Sequence, residues 1–404
     1  MTYRILSLDG GGPWALLQAM ALERLYPGLD GHAILSRFDL AVANSGGSIT
    51  LAGLVKGLRP AEITALFRSE AQRRRIFVRR NAVEAILDDP AAKWDAEGKR
   101  AGLRAIIDED LVDPLSGRGL SDAANAIRRS AGQAAPRLMI AAFDVDRNRA
   151  RFFRSFQSVL ATEDPAFEPT LADAVHASTH APVFFFADCA TVADRNRPDD
   201  RRRFWDGALS GANNPVLAGV IEAIAEGHRD IAALSLGTGS VWRPVAPARA
   251  ARAAALVADT ASLTLLDGVR RLAGAILDDP PDSATVSADV LTALPGEQRM
   301  VRINPMVRPV RNAAGLWDVP DGYGDIRPGN PVAAFAEIAN LPMDAVEDAQ
   351  VALIAALGQA WLRDRIPNQP LRWNPTDGRE ITGHIAFSAA LARWRQIDPW
   401  RPAM

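Results

Sequence analysis

Apolar positions in the first sixty residues fall into two similar units. Residues 3–8 form a short β-prone run that ends at a Gly10-Gly11-Gly12 cluster, and an apolar, helix-prone stretch follows from Trp14 to Leu25. Residues 38–43 form a second apolar run, which a tight turn joins to a helix-prone stretch from Ser48 to Leu58. A strand, a turn of small residues and a helix, met twice in succession, predict two βα units and therefore a parallel sheet covered by helices.

Later segments predict more strands and helices of the same mixed type. Residues 331–404 are expected to be a helical extension that packs on a larger α/β domain of residues 1–330, with Trp373, Trp394 and Trp400 docking the tail. The predicted later elements are strands at 137–144, 149–156 and 231–236, a helix at 214–226, helical segments within 248–294, an extended segment at 299–310, and a helix capped near Asp344 that carries Val346, Leu353, Ile354, Leu357 and Trp361.

The composition is that of a globular chain with a modest charge. Of its 404 residues 48% are hydrophobic, enough to bury a large core. The net charge of -2 and the pI of about 6.3 provide no overall field that would attract nucleic acid or an anionic membrane, so any such contact has to be local. Cys189 is the only cysteine, which excludes a disulfide framework and fits a reducing cytoplasm.

The amino-terminal residues lack the features of a signal peptide, and the sequence contains no apolar run of about 18 residues. We therefore expect a cytoplasmic protein, with peripheral membrane association and export by a route independent of a signal peptide left open. Basic residues are almost all arginine, since lysine occurs only at positions 56, 93 and 99, and this bias is typical of a GC-rich bacterial source.

Ser45 lies where the second predicted strand turns into its helix. Its neighbours two positions away, Ala43 and Gly47, are small, which is the spacing of a nucleophile elbow, because the tight turn leaves no space for larger side chains. The strict pattern has glycine where Ala43 stands. An ordinary βα turn with Ser45 as a helix N-cap is the alternative that this segment alone leaves open.

Gly10-Gly11-Gly12 opens the first predicted helix, so several backbone N–H groups converge on one small volume. Such a loop can hold a developing oxyanion or a phosphate. Neither the Rossmann spacing nor the Lys-Ser/Thr pair of a P-loop is present, which disfavours a nucleotide site.

Further segments follow these two turns in a set order. The segments are Ala177-Ser178-Thr179-His180-Ala181-Pro182-Val183-Phe184-Phe185, Trp205-Asp206-Gly207-Ala208, Asn213-Asn214-Pro215-Val216 and Ser235-Leu236-Gly237-Thr238-Gly239. The Asp206 turn taken alone is equally compatible with an Asx-turn. Together with the glycine loop and the Ser45 turn, the order of these segments resembles the patatin-like phospholipase family from about residue 3 to 240, and more weakly to about 330.

The resemblance implies a three-layer α/β/α fold with a mostly parallel sheet, and a Ser–Asp dyad that works on phospholipids or other acyl esters without histidine, metal ion or cofactor. Ser45 would attack the ester carbonyl, and Asp206 would take its proton and later activate water, by way of an acyl-enzyme. Gly10, Gly11 and Gly12 would form the oxyanion hole, with residues 1–330 as the hydrolase domain. The supporting small residues are Ala43, Gly47 and Gly207.

The glycine loop departs from the family at one point. The family usually continues the loop with Arg and Gly, where this chain has Trp14 and Ala15. Because that arginine can brace the loop, its replacement predicts an oxyanion hole that depends on a partner or a membrane for its order. A catalytically weak lipid- or acyl-binding regulatory protein of the same fold is therefore the alternative to an enzyme.

Other chemistries have weaker support in the sequence. His176 and His180 are four positions apart, as two metal ligands on one helix face would be, but no carboxylate or cysteine completes the set. A Ser-His-Asp triad would need a histidine after Asp206, which His228 or His384 could supply.

Two arginine-rich stretches are candidates for lipid contact. Residues 67–80 mix phenylalanine and isoleucine with arginine, as a transient membrane-surface element would, although a solvated helix end is the slightly favoured interpretation. Residues 195–203 directly precede Asp206, and Asp199 and Asp200 give that loop a mixed charge. The sequence predicts no oligomeric state.

Overall fold

A mixed sheet of eight strands organises the fold, seen here in a computed structural model of the chain. The structure describes residues 1–80, 93–127, 135–161, 166–182, 185–258, 282–374 and 379–399. The strands are β1 (Tyr3–Leu8), β2 (Leu40–Ala43), β3 (Arg137–Asp144), β4 (Arg149–Arg154), β5 (Ala190–Ala193), β6 (Arg201–Asp206), β7 (Ile231–Leu236), β8 (Ser240–Val241), β9 (Met300–Ile303), β10 (Met306–Val307), β11 (Val310–Arg311), β12 (Trp317–Asp318), β13 (Arg372–Trp373) and β14 (Glu380–Thr382).

The central part of the sheet is parallel. The strand order is β5-β6-β3-β2-β1-β7-β9, with β4 also paired to β3. The five strands from β3 to β9 in this order run parallel, whereas β4, β5 and β6 pair antiparallel with their neighbours at one edge. The carboxyl ends of β1, β2, β7 and β9 therefore meet at one edge of the sheet, where ligand sites of such folds form.

Helices cover both faces of the sheet. They are α1 (Leu16–Leu25), α2 (Gly31–Leu35), α3 (Gly46–Val55), α4 (Pro60–Arg68), α5 (Glu70–Ile76), α6 (Ala96–Asp108), α7 (Leu120–Asn125), α8 (Leu171–Ser178), α9 (Val216–Ala225), α10 (282–292), α11 (Gly322–Ile326), α12 (Pro331–Ala339), α13 (Asp348–Trp361) and α14 (Phe387–Ile397).

Strand β1 illustrates how the layers form. Successive side chains of a strand point to opposite faces. Leu6 and Leu8 belong to the larger apolar cluster, which also contains the buried side chains of α1, α3 and α8, whereas Ile5 joins Val216 and Val220 of α9 in a second cluster. All three β1 side chains are completely buried, so the sheet lies between two apolar layers. This confirms the predicted three-layer α/β/α fold.

The predicted elements are present with shifted boundaries. The strands at 137–144 and 231–236 have the predicted bounds, and α3 begins at Gly46, earlier than the predicted Ser48. The helix expected near Asp344 begins instead at Asp348, where Glu347 and Gln350 form a capping box. Asp344 has another role, since its carboxylate accepts hydrogen bonds from Trp94 and Lys93.

Much of the helical region predicted within 248–294 lies outside the described residues. In the part that is described, 248–250 and 254–256 form short 3-10 turns and 282–292 is a helix. Within the same described ranges, no helix combines the length and the apolar character that a bilayer span requires.

The end of the chain packs on the first βα units. Trp394 of α14 is buried, stacks on Phe38 at 5.9 Å between ring centroids, and donates a hydrogen bond to the Tyr26 hydroxyl at 2.7 Å. Asp398 accepts from Tyr26 and pairs with Arg4 and Arg37. Trp373 contacts Trp242, and Trp400 lies outside the described residues.

We expect Trp394→Ala to lower the free energy of unfolding by about 3–5 kcal/mol, because it removes a buried indole together with its hydrogen bond to the Tyr26 hydroxyl. Chemical denaturation monitored by circular dichroism measures this change. Gln396→Ala, at an exposed position of the same helix, is the control and should leave stability within about 0.5 kcal/mol of wild type. Equal stability of both variants would contradict the packing role of α14.

Candidate active site

Ser45 occupies a strained turn between β2 and α3. Its backbone has φ 46° and ψ -124°, a region that residues other than glycine rarely adopt. The turn is tight because α3 starts at the next residue, and a Cβ on Gly47 would lie only 2.4 Å from the carbonyl oxygen of Leu8. Ala43, completely buried at the end of β2, fits its methyl group where the strict pattern has glycine. This geometry is that of a nucleophile elbow.

The glycine loop approaches this turn at backbone contact. A Cβ on Gly46 would lie 2.5 Å from the carbonyl oxygen of Gly12, and Gly12 itself has φ +54°. Among the described residues, none accepts a hydrogen bond from the N–H of Gly11 or Gly12. The Gly10 N–H, by contrast, donates to the Asn213 carbonyl at 2.8 Å and is occupied. Two of the three predicted oxyanion donors are therefore available, and Gly10 has a structural hydrogen bond instead.

Trp14, which stands where the family usually has arginine, stabilises the glycine loop by packing. Its side chain is buried and lies against Gly239, where an added Cβ would come within 3.3 Å of the ring, and its indole N–H donates to the Pro342 carbonyl. The Thr238 hydroxyl donates to the Gly10 carbonyl at 2.6 Å. The loop is thus braced by packing and by hydrogen bonds from within the chain.

A buried ion pair stabilises the residue that precedes the glycine loop. Asp9 ends the β1 side of the loop and pairs with Arg302 of β9 at 2.6 Å, and the Arg302 guanidinium also donates to the Ser235 hydroxyl. Burial raises the pKa of Asp9 to about 6, and the adjacent Arg302 opposes that rise. Gln18 of α1 donates to the Asp9 carbonyl. These contacts join β1, β7, β9 and α1 at the base of the glycine loop.

The antiparallel pairing of β6 with β3 places Asp206 in the same cavity as Ser45. Asp206 pairs in register with Ala142, two positions beyond Ile140, which lies opposite Ala43. The Asp206 carboxylate accepts hydrogen bonds from the Ala208 N–H at 2.9 Å and from the Asn44 amide at 3.0 Å.

Burial and hydrogen bonding act on the Asp206 carboxylate in opposite directions. Desolvation raises its pKa, whereas the nearby Ser45 side chain, the hydrogen bonds from Ala208 and Asn44, and the charge of Lys99 oppose the rise. Ser45 and a water-excluded carboxylate therefore line one cavity, and general-base catalysis would require such a placement.

Two positioning residues were not predicted from the sequence. The Asn44 amide bridges the Ser45 turn to Asp206, and the Ser178 hydroxyl accepts the Ser45 N–H at 2.8 Å. Asn44 is a polar residue at the end of an apolar strand, and Ser178 lies in the segment 177–185 that carried the resemblance, so both signals were present in the sequence.

Lys99 is a third residue that sequence reasoning missed. It lies on α6 and is almost completely buried, with its ammonium bonded to the His176 carbonyl, to the Thr179 hydroxyl and to Nδ1 of His180. It also lines the cavity that contains Ser45 and Asp206.

The histidine alternatives do not converge on Ser45. His180 uses both ring nitrogens in hydrogen bonds, to Lys99 and to the Asp188 carbonyl, and the described part of the chain holds no cluster of three or more metal-ligating side chains. His228 stacks on Tyr3 at the amino end of β1, at the opposite edge of the sheet from Ser45. Neither His228 nor His384 is among the described residues that line the Ser45 cavity.

The arginine-rich residues 67–80 contribute to the site through their apolar members. Ile76 and Phe77 line the cavity at Ser45. Arg73 is buried and pairs with Asp348, and its neighbours on α5 also bond carboxylates. Residues 195–203 consist of a loop and the first three residues of β6, and their arginines pair mainly with aspartates.

Comparison with known proteins identifies the class. A family model described as Patatin-like phospholipase matches residues 6–220, and the chain belongs to this family. Among solved structures, VipD from Legionella pneumophila is similar at 10% sequence identity and a TM-score of 0.33, over 87% of this chain and 66% of that one. The chain thus spans slightly less than two thirds of that protein's length. No curated protein matches the sequence.

We expect Gly207→Ala to destabilise the protein by about 1–3 kcal/mol, because the new methyl group would lie 2.4 Å from the Asn44 amide oxygen and 2.8 Å from Cβ of Ala141. Thermal unfolding measures the effect. Gly117→Ala is the matched control, since no atom lies within 4 Å of the added carbon there. If Gly207→Ala and Gly117→Ala were equally stable, the turn at Asp206 would not be crowded.

Proposed function

We propose that the chain is a lipid acyl hydrolase of the phospholipase A type, with Ser45 as nucleophile and Asp206 as its base. The family supports hydrolysis of lipid esters at the level of class. The observation that carries the finer proposal is the placement of Ser45, on its strained turn, and of the buried Asp206 carboxylate in one cavity, with the Asn44 amide bonded to that carboxylate at 3.0 Å. A phospholipid or another acyl ester is the substrate.

The reaction follows from these groups. Ser45 Oγ attacks the ester carbonyl carbon while Asp206 takes the hydroxyl proton, and the N–H groups of Gly11 and Gly12 stabilise the oxyanion of the tetrahedral intermediate. The intermediate collapses with loss of the alcohol, which takes the proton from Asp206, and leaves an acyl ester on Ser45. Asp206 then deprotonates a water molecule that attacks this ester, and the carboxylic acid departs as the proton returns to Ser45.

An apolar cavity next to the nucleophile supports a long acyl chain as the group transferred. It adjoins the Ser45 cavity, because Gly12, Ile49, Ile76 and Phe77 line both. Its two basic members are engaged elsewhere: Lys56 donates to the Ile106 carbonyl, and Arg73 bonds Val346, Phe67 and Asp348. The remaining wall is supplied mainly by Ala52, Gly53, Leu58, Ile63, Leu66, Phe67, Leu103, Ile106, Ile107 and Val175.

Ser45→Ala and Asp206→Asn should each lower hydrolysis at least about a thousandfold, because each removes one member of a unit that acts together. Labelling of Ser45 by a fluorophosphonate, and mass spectrometry of the products released from total bacterial lipid, measure the effect. The controls are Ser388→Ala and Asp146→Asn, two exposed positions away from the cavity, and both should retain wild-type rates.

The same measurements separate the enzyme from the lipid- or acyl-binding alternative. Wild-type protein that binds phospholipid vesicles but shows neither labelling nor product release with any lipid would overturn the proposed hydrolase in favour of the binding protein. Full activity without a partner or a membrane would agree with the internal bracing of the glycine loop.

Ala52→Leu should narrow the apolar cavity and lower kcat/KM for long-chain esters by about tenfold or more, while acetyl esters are affected little, because a hydrophobic pocket discriminates by about 1–3 kcal/mol per methylene. A series of p-nitrophenyl esters of increasing chain length measures this. Ala65→Leu, on the exposed side of α4, is the control. If Ala52→Leu lowered kcat/KM equally for esters of short and long acyl chains, the apolar cavity would not be the acyl site.

A further inference from the structure

Lys99 is a buried cation whose three ammonium protons all have acceptors. Nζ lies 3.0 Å from the His176 carbonyl, 3.2 Å from the Thr179 hydroxyl oxygen and 2.9 Å from Nδ1 of His180. Nε2 of His180 lies 2.8 Å from the Asp188 carbonyl, which requires the proton on Nε2 and leaves Nδ1 as an acceptor. The Thr179 hydroxyl donates to the Val175 carbonyl, so its oxygen also accepts from Lys99. The site is built for an ammonium ion.

The charged environment of this ammonium points to one carboxylate. Lys99 and Asp206 line the same cavity. Burial lowers the pKa of Lys99 well below its usual value, and the charge of Asp206 opposes that change. The Asp206 N–H donates to the His180 carbonyl at 2.9 Å, so the imidazole that receives Lys99 belongs to a residue bonded to Asp206. A buried charge without an opposite charge is costly, and the two groups compensate each other.

Other charged groups near this pair have partners of their own. Arg100 and Arg104, on the same helix as Lys99, pair with Asp173. Asp344, which also lines the cavity, pairs with Lys93 and accepts from Trp94. His176 and His180 are held neutral, because burial and the nearby Lys99 lower the pKa of both imidazoles. Lys99 is the only lysine or arginine among the described residues that line the Ser45 cavity.

We propose that Lys99 is a positioning residue whose ammonium keeps the Asp206 carboxylate ionised in the water-excluded site, so that Asp206 can act as base toward Ser45 in mildly acidic conditions. This role rests on the proposed function. A compact ammonium with three donors is suited to this role. The Phe186 ring lies over one side of the ammonium, with its centroid 4.4 Å from Nζ, and separates the charge from bulk solvent there.

The test is the pH dependence of fluorophosphonate labelling of Ser45, from about pH 5 to about pH 9, in wild type and Lys99→Met. A neighbouring positive charge favours the carboxylate, so its removal should move the acid limb to higher pH by about one unit or more, with a far smaller change at alkaline pH. Lys99→Arg retains the charge and should keep the limb near its wild-type position. Arg229→Met, which removes an exposed cation that precedes β7 and does not line the cavity, should leave the limb unmoved.

Other outcomes would overturn the role of Lys99. A folded Lys99→Met variant with an unmoved acid limb, or with labelling lowered equally at every pH, would show that Lys99 supports the fold only. The same holds if the limb of Lys99→Arg moves as far as that of Lys99→Met. If Lys99→Met does not fold, Lys99→Gln, which keeps two N–H donors without the charge, should show the same displacement. Wild type that is unlabelled at all pH values would defeat the proposed hydrolase itself.

Discussion

The strained turn at Ser45 is the constraint on which the rest of the site depends. The chain leaves β2 and enters α3 within two residues, so Ser45 adopts a backbone conformation that L-residues rarely accept. That conformation persists because the turn is held from several sides, by Ser178 on its N–H and by the Leu8 backbone against Gly47. The energy stored in the turn is offset by the two apolar layers that bury the sheet.

Burial of charge is the second feature that defines the site. Asp206 and Asp9 are carboxylates withdrawn from water, and each has a nearby cation, Lys99 and Arg302 respectively. The two pairs serve different purposes: Arg302 is bonded directly to Asp9 and ties three strands together below the glycine loop, whereas Lys99 acts on Asp206 through space while bonded to neutral acceptors. The second arrangement leaves the Asp206 carboxylate to accept from Asn44 and Ala208 in the cavity that also contains Ser45.

The glycine loop shows how one structural task can be met by different residues. A long cationic side chain can brace such a loop by hydrogen bonds, but Trp14 does so by filling space against Gly239, and Thr238 and Asn213 bond the backbone of Gly10. The consequence is that Gly10 is anchored and that Gly11 and Gly12 carry the N–H groups without acceptors among the described residues. The sequence-based expectation that the oxyanion hole needs a partner or a membrane for its order stays a prediction.

The spacing of apolar residues, the small-residue turns and the order of the motifs were sufficient to predict the βα units and the mostly parallel sheet, because these patterns lie within short stretches of the sequence. The roles of Ser45, Asp206 and the glycine loop stay predictions. Tertiary structure decided the rest. Helix α13 starts later than predicted, because Glu347 and Gln350 form the capping box at its amino end. Asp344, the predicted cap, accepts a hydrogen bond from Trp94 instead. Lys99 lies 107 positions before Asp206 in the sequence, and Arg302 lies 293 positions after Asp9. No local pattern reveals that burial will bring such charges together, because the cost of an isolated charge exists only once the core has formed.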